Sequence, residues 1–298
     1  MLKKRLETAG FDLSPIGFGC WAIGGTAGYK PDDKESIKAI RKAYELGTNY
    51  FDTSNIYGFG HSEHILSKAL GRNIDSIIIS TKFGLHHNEY KYTFKDCSPK
   101  AIIESLHGSL RRLNIESIPI YILHWHDGKT RYEDIANTLL KAKDEGKIQL
   151  VGCSNVTYSE VEELNKYCEV SVFQQLYNPA QKSIASVPKQ IDIISFGTIA
   201  QGLLAGGTPK LYKAGLGHYS EALYSKYLVA AETIKRIAIK KHKTPAQICI
   251  AWALTNKNIS SVLVGMHTEK QVIENSKASV RFLTEKEIEE ISNATKGS

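Results

Sequence analysis

Four polar side chains follow apolar segments of the sequence, where a catalytic site could form. Asp52 and Tyr57 lie in the segment FDTSNIYG, Lys82 lies in STKFG, and His124 lies in YILHWH. Taken one at a time, each has an ordinary explanation: Asp52 and Lys82 could be a structural ion pair, the tyrosine a loop anchor and the histidine a core residue. Because all four stand at the ends of successive predicted strands, we interpret them together as one site.

The residue types of this group suit the reduction of a carbonyl. The carbonyl oxygen must receive a proton when the carbon accepts a hydride. A tyrosine with an ordinary pKa of about 10 donates poorly at neutral pH unless its anion is stabilised. A buried lysine supplies that stabilisation, an aspartate keeps the lysine charged, and a histidine polarises the same oxygen. The group therefore predicts carbonyl reduction with Tyr57 as the proton donor.

The pair His124 and His126 has a second interpretation, as metal ligands. Residues i and i+2 of a strand share a face, and metal-dependent hydrolases built on barrels use such pairs. The sequence has no second histidine pair at another predicted strand end. We therefore favour the reductase, predict no metal, and keep the hydrolase as an alternative.

Eight short apolar segments are predicted to be the strands that position these side chains: residues 16–20, 49–53, 76–81, 119–124, 149–153, 170–174, 192–196 and 261–264. Amphipathic segments between them predict helices at residues 33–46, 62–70, 98–113, 132–145, 158–168, 223–242 and 268–277. Continuous apolar runs are typical of parallel strands, which are buried on both faces. The alternation predicts an α/β fold, a closed (β/α)8 TIM barrel with its active site at the carboxyl ends of the strands.

Three further features lie outside the regular alternation. Residues 2–14 are predicted to form a short N-terminal β-hairpin. Thr284 and Glu287 have the spacing of a capping box, which predicts a C-terminal helix after the barrel. The sixth strand–helix unit is short, because residues 182–190 leave room for about two helical turns. No linker divides the chain, so we predict a single domain over residues 1–298.

The composition is that of an ordinary globular chain of 298 residues, with 42% hydrophobic and 23% charged residues. No apolar run is long enough for a membrane span, and none follows the basic residues at the start, so we expect neither a membrane protein nor a signal peptide. Five cysteines without a C-x-x-C pair predict reduced thiols and a cytoplasmic location. The net charge of +7 is spread among acidic residues, which argues against nucleic acid as a partner.

Three motifs occur in order, each at a predicted strand end: FDTS with YG, TKFG and LHW. On these motifs the sequence resembles the aldo-keto reductases over essentially its whole length, from Leu13 to Asn275. The resemblance implies a catalytic tetrad with the tyrosine as general acid and base: Asp52, Tyr57, Lys82 and His124. It also implies a nicotinamide cofactor, NADP(H) with NAD(H) as an alternative, lying across the mouth of the barrel, and no metal.

The resemblance assigns the nicotinamide end of the cofactor site to successive strand ends. Ser154, Asn155 and Gln174 would hydrogen-bond the carboxamide. Phe196 would stack on the nicotinamide ring, where the family usually has a tyrosine. Close approach of the backbone to the pyrophosphate is expected at small or apolar residues of the next loop: Gly197, Ile199 and Gly202.

The adenosine end is assigned in the same way to the end of the last strand and the helix after it: Gly265, His267, Thr268, Gln271, Glu274 and Asn275. Members that prefer NADP commonly have an arginine where Gln271 stands. In residues 264–275, Lys270 is the only full cation. Thr268 also suits a helix N-cap. We therefore expect NADP(H) to be preferred over NAD(H), by a smaller margin than an arginine would give.

The substrate site is predicted from Trp21, Trp125, His126 and the loops 85–97 and 205–222. Polar and aromatic residues of these loops suit a small carbonyl substrate that is polar or sugar-like: His86, His87, Tyr90, Lys91, Tyr92, Tyr212 and Tyr219. The resemblance extends to channel-associated subunits, which leaves a non-catalytic nucleotide-sensing barrel as an alternative. The intact tetrad argues against a sensor, because a sensor does not need a proton-donating pair.

Overall fold

A computed structural model of the protein describes residues 4–6, 10–25, 31–88, 90, 92–182, 184–207 and 220–295. Its strands are β1 (Lys4–Arg5), β2 (Asp12–Leu13), β3 (Ile16–Gly19), β4 (Tyr50–Asp52), β5 (Ile78–Phe83), β6 (Leu85–His87), β7 (Thr93–Lys95), β8 (Ile118–Leu123), β9 (Ile148–Ser154), β10 (Val170–Leu176), β11 (Asp192–Phe196) and β12 (Ile259–Gly265). Its helices are α1 (Asp33–Glu45), α2 (His61–Leu70), α3 (Pro99–Leu113), α4 (Tyr132–Asp144), α5 (Tyr158–Asn165), α6 (Glu221–Lys241), α7 (Pro245–Ala253), α8 (Glu269–Ser276) and α9 (Glu285–Asn293).

Eight of these strands are parallel and close into a barrel, in the order β3, β4, β5, β8, β9, β10, β11 and β12. The barrel is closed by the pairing of β12 with β3, which places Val264 opposite Phe18. The predicted (β/α)8 barrel is therefore confirmed. Because all eight strands run in the same direction, their carboxyl ends meet at one mouth.

The two terminal elements are present as predicted. β1 pairs with β2 in an antiparallel hairpin. Leu6 and Leu13 of this segment are fully buried and pack with Ile120 and Leu150 inside the barrel. At the other terminus, a capping box of Thr284 begins α9. The hairpin thus adds apolar contacts to the barrel core.

The sixth strand–helix unit differs from the prediction. The described residues between β10 and β11 contain no helix, whereas the sequence predicts about two helical turns at residues 182–190. Asn178 Oδ1 accepts the backbone N–H groups of Ala180 and Gln181, and Gln175 Oε1 accepts that of Ala185. Side chains thus bind backbone groups that a helix would use, and the segment is an irregular connection.

Two elements were not predicted. The helix α7 begins at a capping box formed by Thr244 and Gln247, with Pro245 as its first residue. The hairpin of β6 and β7 lies within the predicted loop 85–97 and pairs Leu85 with Lys95.

In the parts of the chain that the structure describes, no helix is long and apolar enough to cross a membrane. The single-domain assignment stays a prediction.

Candidate active site

The ammonium group of Lys82 lies at the centre of the predicted tetrad. It donates hydrogen bonds to Asp52 Oδ1 at 2.7 Å, to the carbonyl oxygen of Thr53 at 2.8 Å and to the hydroxyl oxygen of Tyr57 at 3.2 Å. An ammonium has three hydrogens, so these bonds use all of them. The Tyr57 hydroxyl accepts from the lysine, which leaves its own proton available for a substrate.

Burial sets the protonation states of this group. The side chains of Lys82 and Asp52 are only 2% and 7% exposed. Burial alone would lower the pKa of Lys82, but Asp52 and Tyr57 raise it above its ordinary value. Burial raises the pKa of Tyr57, and the charge of Lys82 opposes this shift. The lysine acts in the predicted direction, but burial outweighs it, and the tyrosine is protonated at neutral pH.

His124 lies beside the tyrosine at the end of β8. The two rings meet edge to face, with centroids 5.9 Å apart. Burial, and then the charge of Lys82, lower the pKa of His124 well below its ordinary value, so the imidazole is neutral at pH 7. Its Nδ1 lies 3.5 Å from the hydroxyl of Ser54, and Nε2 is left for a substrate oxygen. The structure therefore brings all four predicted catalytic residues together.

The loop that carries Tyr57 is held by a close backbone contact. Gly58, Phe59 and Gly60 all have positive φ, at 60°, 57° and 90°. A Cβ atom at Gly58 would lie 1.6 Å from the carbonyl oxygen of Gly24 in the loop after β3. Only glycine fits there, and this packing positions the tyrosine.

The predicted nicotinamide-binding residues lie next to the tetrad. Asn155 follows β9 in the left-handed conformation, with φ of 52°. Its Nδ2 donates to the carbonyl oxygen of His124 and to Ser154 Oγ, both at 3.1 Å. Gln174 Nε2 donates to Asp52 Oδ2 at 2.6 Å. The strand ends expected to hold the carboxamide are therefore bonded directly to two members of the tetrad.

The loop after β11 has space and polar groups that fit a dinucleotide. Its predicted cofactor residues are half-buried at the barrel mouth: Phe196, Gly197, Ile199 and Gly202. A Cβ atom at Gly202 would meet no atom within 4 Å. Among the described residues, Thr198 Oγ1 and Asn275 Oδ1 are buried without a hydrogen-bond partner. These residues fit the nicotinamide cofactor that the sequence predicts.

The adenosine end is partly occupied by the chain's own hydrogen bonds. Thr268 Oγ1 accepts the N–H of Gln271 at 3.3 Å and caps α8. The side-chain oxygen of Gln271 in turn accepts the N–H of His267 at 2.9 Å. Burial lowers the pKa of His267. Gly265 is exposed and Glu274 is half-buried on the same segment. The segment thus supplies little positive charge for a phosphate at pH 7.

His126 has both ring nitrogens bonded within its own loop. Nε2 lies 2.9 Å from the carbonyl oxygen of Thr130, and Nδ1 accepts the N–H of Gly128 at 3.1 Å. The ring also stacks on Tyr132, with centroids 4.4 Å apart. His126 therefore shapes the loop after β8. The metal-dependent hydrolase is not supported, because these nitrogens already have partners.

The predicted substrate walls are aromatic. Trp125 is 37% exposed, and Lys95 Nζ lies 5.0 Å from its ring centroid. Trp21 is half-buried in the 3-10 turn after β3. The ring of His87 meets Phe59 edge to face at 4.8 Å. Three residues of the predicted walls lie outside the described residues: Lys91, Tyr212 and Tyr219.

The fold and the site together define a class of protein. An eight-stranded barrel with a half-buried tyrosine and a buried lysine, aspartate and histidine at its mouth, beside a site that fits a dinucleotide, is a barrel oxidoreductase. A model described as the Aldo/keto reductase family matches residues 15–296. The chain belongs to this family, and it is an NAD(P)H-dependent carbonyl reductase.

Similar proteins include enzymes named for either cofactor. The chain is 29% identical over 301 residues to the NADH-specific methylglyoxal reductase of Escherichia coli (strain K12), covering 92% of each chain. It is 30% identical over 307 residues to the aldo-keto reductase yakc [NADP(+)] of Schizosaccharomyces pombe, covering 96% of this chain and 89% of the other. The solved structure of a glycerol dehydrogenase from Gluconobacter oxydans, with 27% identity, superposes with a TM-score of 0.87 over 100% of this chain and 97% of that one.

Proposed function

We propose that this chain reduces small polar aldehydes or ketones to alcohols with NADP(H), and that Tyr57 is the proton donor. The observation that carries the proposal is the hydrogen bonding of Lys82, which uses its three hydrogens on Asp52, Thr53 and Tyr57. Because the tyrosine accepts from the lysine, its own proton remains for the substrate.

Each tetrad residue then has a separate role. Tyr57 donates its proton to the carbonyl oxygen, and the adjacent ammonium of Lys82 stabilises the tyrosinate that forms. Asp52 keeps that ammonium charged and in position. His124, which is neutral, hydrogen-bonds the same oxygen without adding a charge to the site. The nicotinamide, when bound, supplies the hydride.

The carboxamide of the cofactor would be held by Ser154, Asn155 and Gln174. The Nε2 atom of Gln174 already donates to Asp52, so its side-chain oxygen is the atom left for the carboxamide amino group. Phe196 would stack on the nicotinamide ring. The remaining proposed contacts lie in the loop after β11 and in the segment around α8: Gly197, Ile199, Gly202, Gly265, His267, Thr268, Gln271, Glu274 and Asn275.

We expect kcat/KM to be about ten- to a hundredfold higher for NADPH than for NADH at pH 7, the range of one or two charge-assisted hydrogen bonds. The unpaired N–H groups at the start of α8 can hold the 2′-phosphate. Because burial lowers the pKa of His267, the preference should grow only as the pH falls below about 6.5. The measurement is kcat/KM for both cofactors with one substrate at two pH values.

A matched variant makes this test sharper. Gln271→Arg supplies the missing cation and should raise the preference for NADPH by at least about tenfold. Equal kcat/KM values for NADPH and NADH in the wild type, or a preference for NADH, would show that the segment around α8 does not bind the 2′-phosphate.

A small, polar substrate is supported by the relatives and by the walls of the site. Two similar proteins are named for three-carbon oxygenated compounds, methylglyoxal and glycerol. The mouth of this barrel combines the aromatic faces of Trp125 and Phe59 with polar rings such as His87. In an assay of NADPH consumption, glyceraldehyde and methylglyoxal should give kcat/KM values at least about tenfold above hexanal. Equal values would exclude a polar substrate site.

We also propose a cytoplasmic location. The cysteines Cys20, Cys97, Cys153, Cys168 and Cys249 are all buried and free. Thiols that remain unpaired are typical of a reducing compartment.

Gly58→Ala should reduce kcat for carbonyl reduction at least about tenfold, because the new Cβ would overlap the Gly24 carbonyl oxygen and displace Tyr57. The matched control is Gly47→Ala. Gly47 also has positive φ, at 89°, but a Cβ there meets no atom within 4 Å. Both variants should lose about 1 kcal/mol of stability from the left-handed backbone, and Gly58→Ala should lose more because of its overlap with Gly24. Equal kcat in the two variants would show that the contact does not position the tyrosine.

A further inference from the structure

A ring of hydrogen bonds lies next to the tetrad, inside the barrel. Ser80 Oγ donates to Asp52 Oδ2 at 2.7 Å, and Gln174 Nε2 donates to the same oxygen at 2.6 Å. The hydroxyl oxygen of Tyr50 lies 2.8 Å from Ser80 Oγ and 3.4 Å from Gln174 Nε2. All four residues are buried. One tyrosine hydroxyl thus joins the two residues that hold the catalytic carboxylate.

The directions of these hydrogen bonds follow from the carboxylate. An ionised carboxylate only accepts, so the single proton of Ser80 points to Asp52. Ser80 Oγ must then accept from Tyr50, whose own proton is used in that bond. The Nε2 atom of Gln174 has two hydrogens, one for Asp52 and one for the oxygen of Tyr50. This arrangement gives every donor of the ring an acceptor. The hydroxyl of Ser80 and the amide of Gln174 both donate to Asp52.

The barrel geometry brings these residues together. Tyr50 and Asp52 are two residues apart on β4, and Ser80 and Lys82 are two residues apart on β5, so each pair shares the interior face. The register of the two strands places Asp52 opposite Ser80. The ring of Tyr50 fills the space at Gly17, where a Cβ atom would lie 2.6 Å from Tyr50 Cδ1. The tyrosine is therefore held by packing as well as by its hydroxyl.

We propose that Tyr50 and Ser80 are positioning residues for carbonyl reduction, which hold Asp52 so that its other oxygen bonds Lys82. The inference rests on the proposed function, because it gives the two residues a role in that reaction. Neither residue touches the reacting atoms. They act on Tyr57 through the carboxylate and the lysine.

The electrostatic link to the proton donor is direct. The charge of Asp52 raises the pKa of Tyr57, and the charge of Lys82 lowers it. The dipole of Ser80 reduces the negative potential of the carboxylate at the tyrosine. Removing this dipole should therefore raise the pKa of Tyr57 further and make it a weaker acid.

Within the described part of the chain, three further titratable groups lie beside this site, and all three are uncharged at neutral pH. Burial raises the pKa of Tyr50 and of Cys20 well above their ordinary values, and it lowers that of His124. A change in the pH profile of a Ser80 variant can therefore be assigned to the group formed by Asp52, Lys82 and Tyr57.

The ring is tested first by thermal unfolding, which does not depend on activity. Ser80→Ala leaves the Tyr50 hydroxyl buried without its acceptor and should lower Tm by about 4 °C. Adding Tyr50→Phe removes that unpaired hydroxyl, so the double variant should be at least as stable as Ser80→Ala alone. The matched pair is Ser261→Ala with Tyr121→Phe, two buried hydroxyls that donate to backbone carbonyls outside the ring. The effects of these two control substitutions on Tm should be additive.

The positioning role is tested by the pH dependence of carbonyl reduction. Ser80→Ala should lower kcat about tenfold, the loss of one hydrogen bond to a charged group, and change KM less than about twofold. The alkaline limb of kcat/KM should move to higher pH, and Tyr50→Phe should act in the same direction. Ser80→Thr keeps the hydroxyl and should restore the wild-type profile. The two control variants should leave kcat and the profile unchanged.

The outcomes are separable. Additive unfolding effects of the Ser80 and Tyr50 substitutions would overturn the ring. If the unfolding effects are coupled but the Ser80 and Tyr50 variants have the same kcat and pH profile as the control variants, the positioning role is overturned. A wild-type chain that reduces no carbonyl would overturn the proposed function, and the unfolding cycle would still decide whether the ring exists.

Discussion

Tyr57→Phe should lower kcat for carbonyl reduction at least about 100-fold, the usual contribution of a general acid. The substitution removes only the hydroxyl. That hydroxyl accepts from Lys82 at 3.2 Å, and its proton is the one the site can transfer to the carbonyl oxygen. The dissociation constant for NADPH, measured by fluorescence titration, should change less than about twofold, because the aromatic ring remains.

The control for this variant is Tyr121→Phe. Tyr121 is fully buried, and its hydroxyl donates to the carbonyl oxygen of Ile102 on the outer side of the barrel. The Tyr121→Phe variant should lose the stability that one hydrogen bond contributes and keep its activity. A Tyr57→Phe variant that retained more than about a tenth of the wild-type rate would contradict a general-acid role.

Lys82→Met should have an effect on kcat of the same size, at least about 100-fold. The methionine has a similar length but no charge, so the tyrosinate that forms on proton transfer would have no cation beside it. The pKa of Tyr57, which Lys82 holds down against burial, would rise further. The measurement is kcat for one aldehyde between pH 6 and 10, with NADPH binding as the check on folding.

The same substitution also tests the ion pair. Asp52 would be left buried without its partner, which typically costs about 3–5 kcal/mol of stability. Asp52→Asn combined with Lys82→Met removes both charges. This double variant should regain most of the lost stability in a denaturant titration while remaining inactive. A stable Lys82→Met variant with normal turnover would show that the lysine has neither role.

The local sequence determined the elements and pointed to the residues that we propose as catalytic. Continuous apolar runs and capping residues such as Thr268 and Thr284 predict where strands and helices form, because these signals act within a few residues of the chain. The predicted bounds differ from the observed ones by a few residues at most of the ends. The tetrad was predictable because Asp52, Lys82 and His124 each stand within one residue of a strand end.

Side-chain bonds to the backbone of a connection were not predicted at two places. The described part of residues 182–190 contains no helix, and side chains bind backbone N–H groups in and just before it: Asn178 binds those of Ala180 and Gln181, and Gln175 binds that of Ala185. At the second place, His126 bonds Thr130 and Gly128 in its own loop, and its predicted contact with substrate stays a prediction. In both cases a side chain in or next to a connection binds the backbone of that connection, and spacing patterns do not report such bonds.

The tertiary structure alone decided how the site is held. Alternation along β4 and β5 places Tyr50 and Ser80 on the same face as Asp52 and Lys82, and that much could have been read from the sequence. Their partner Gln174 lies 122 residues from Asp52 along the chain. The direction of each hydrogen bond, and the number of hydrogen bonds that Lys82 donates, depend on the strand register and on closure of the barrel. Periodicity describes one segment at a time, whereas a bond between distant strands depends on how all eight pack.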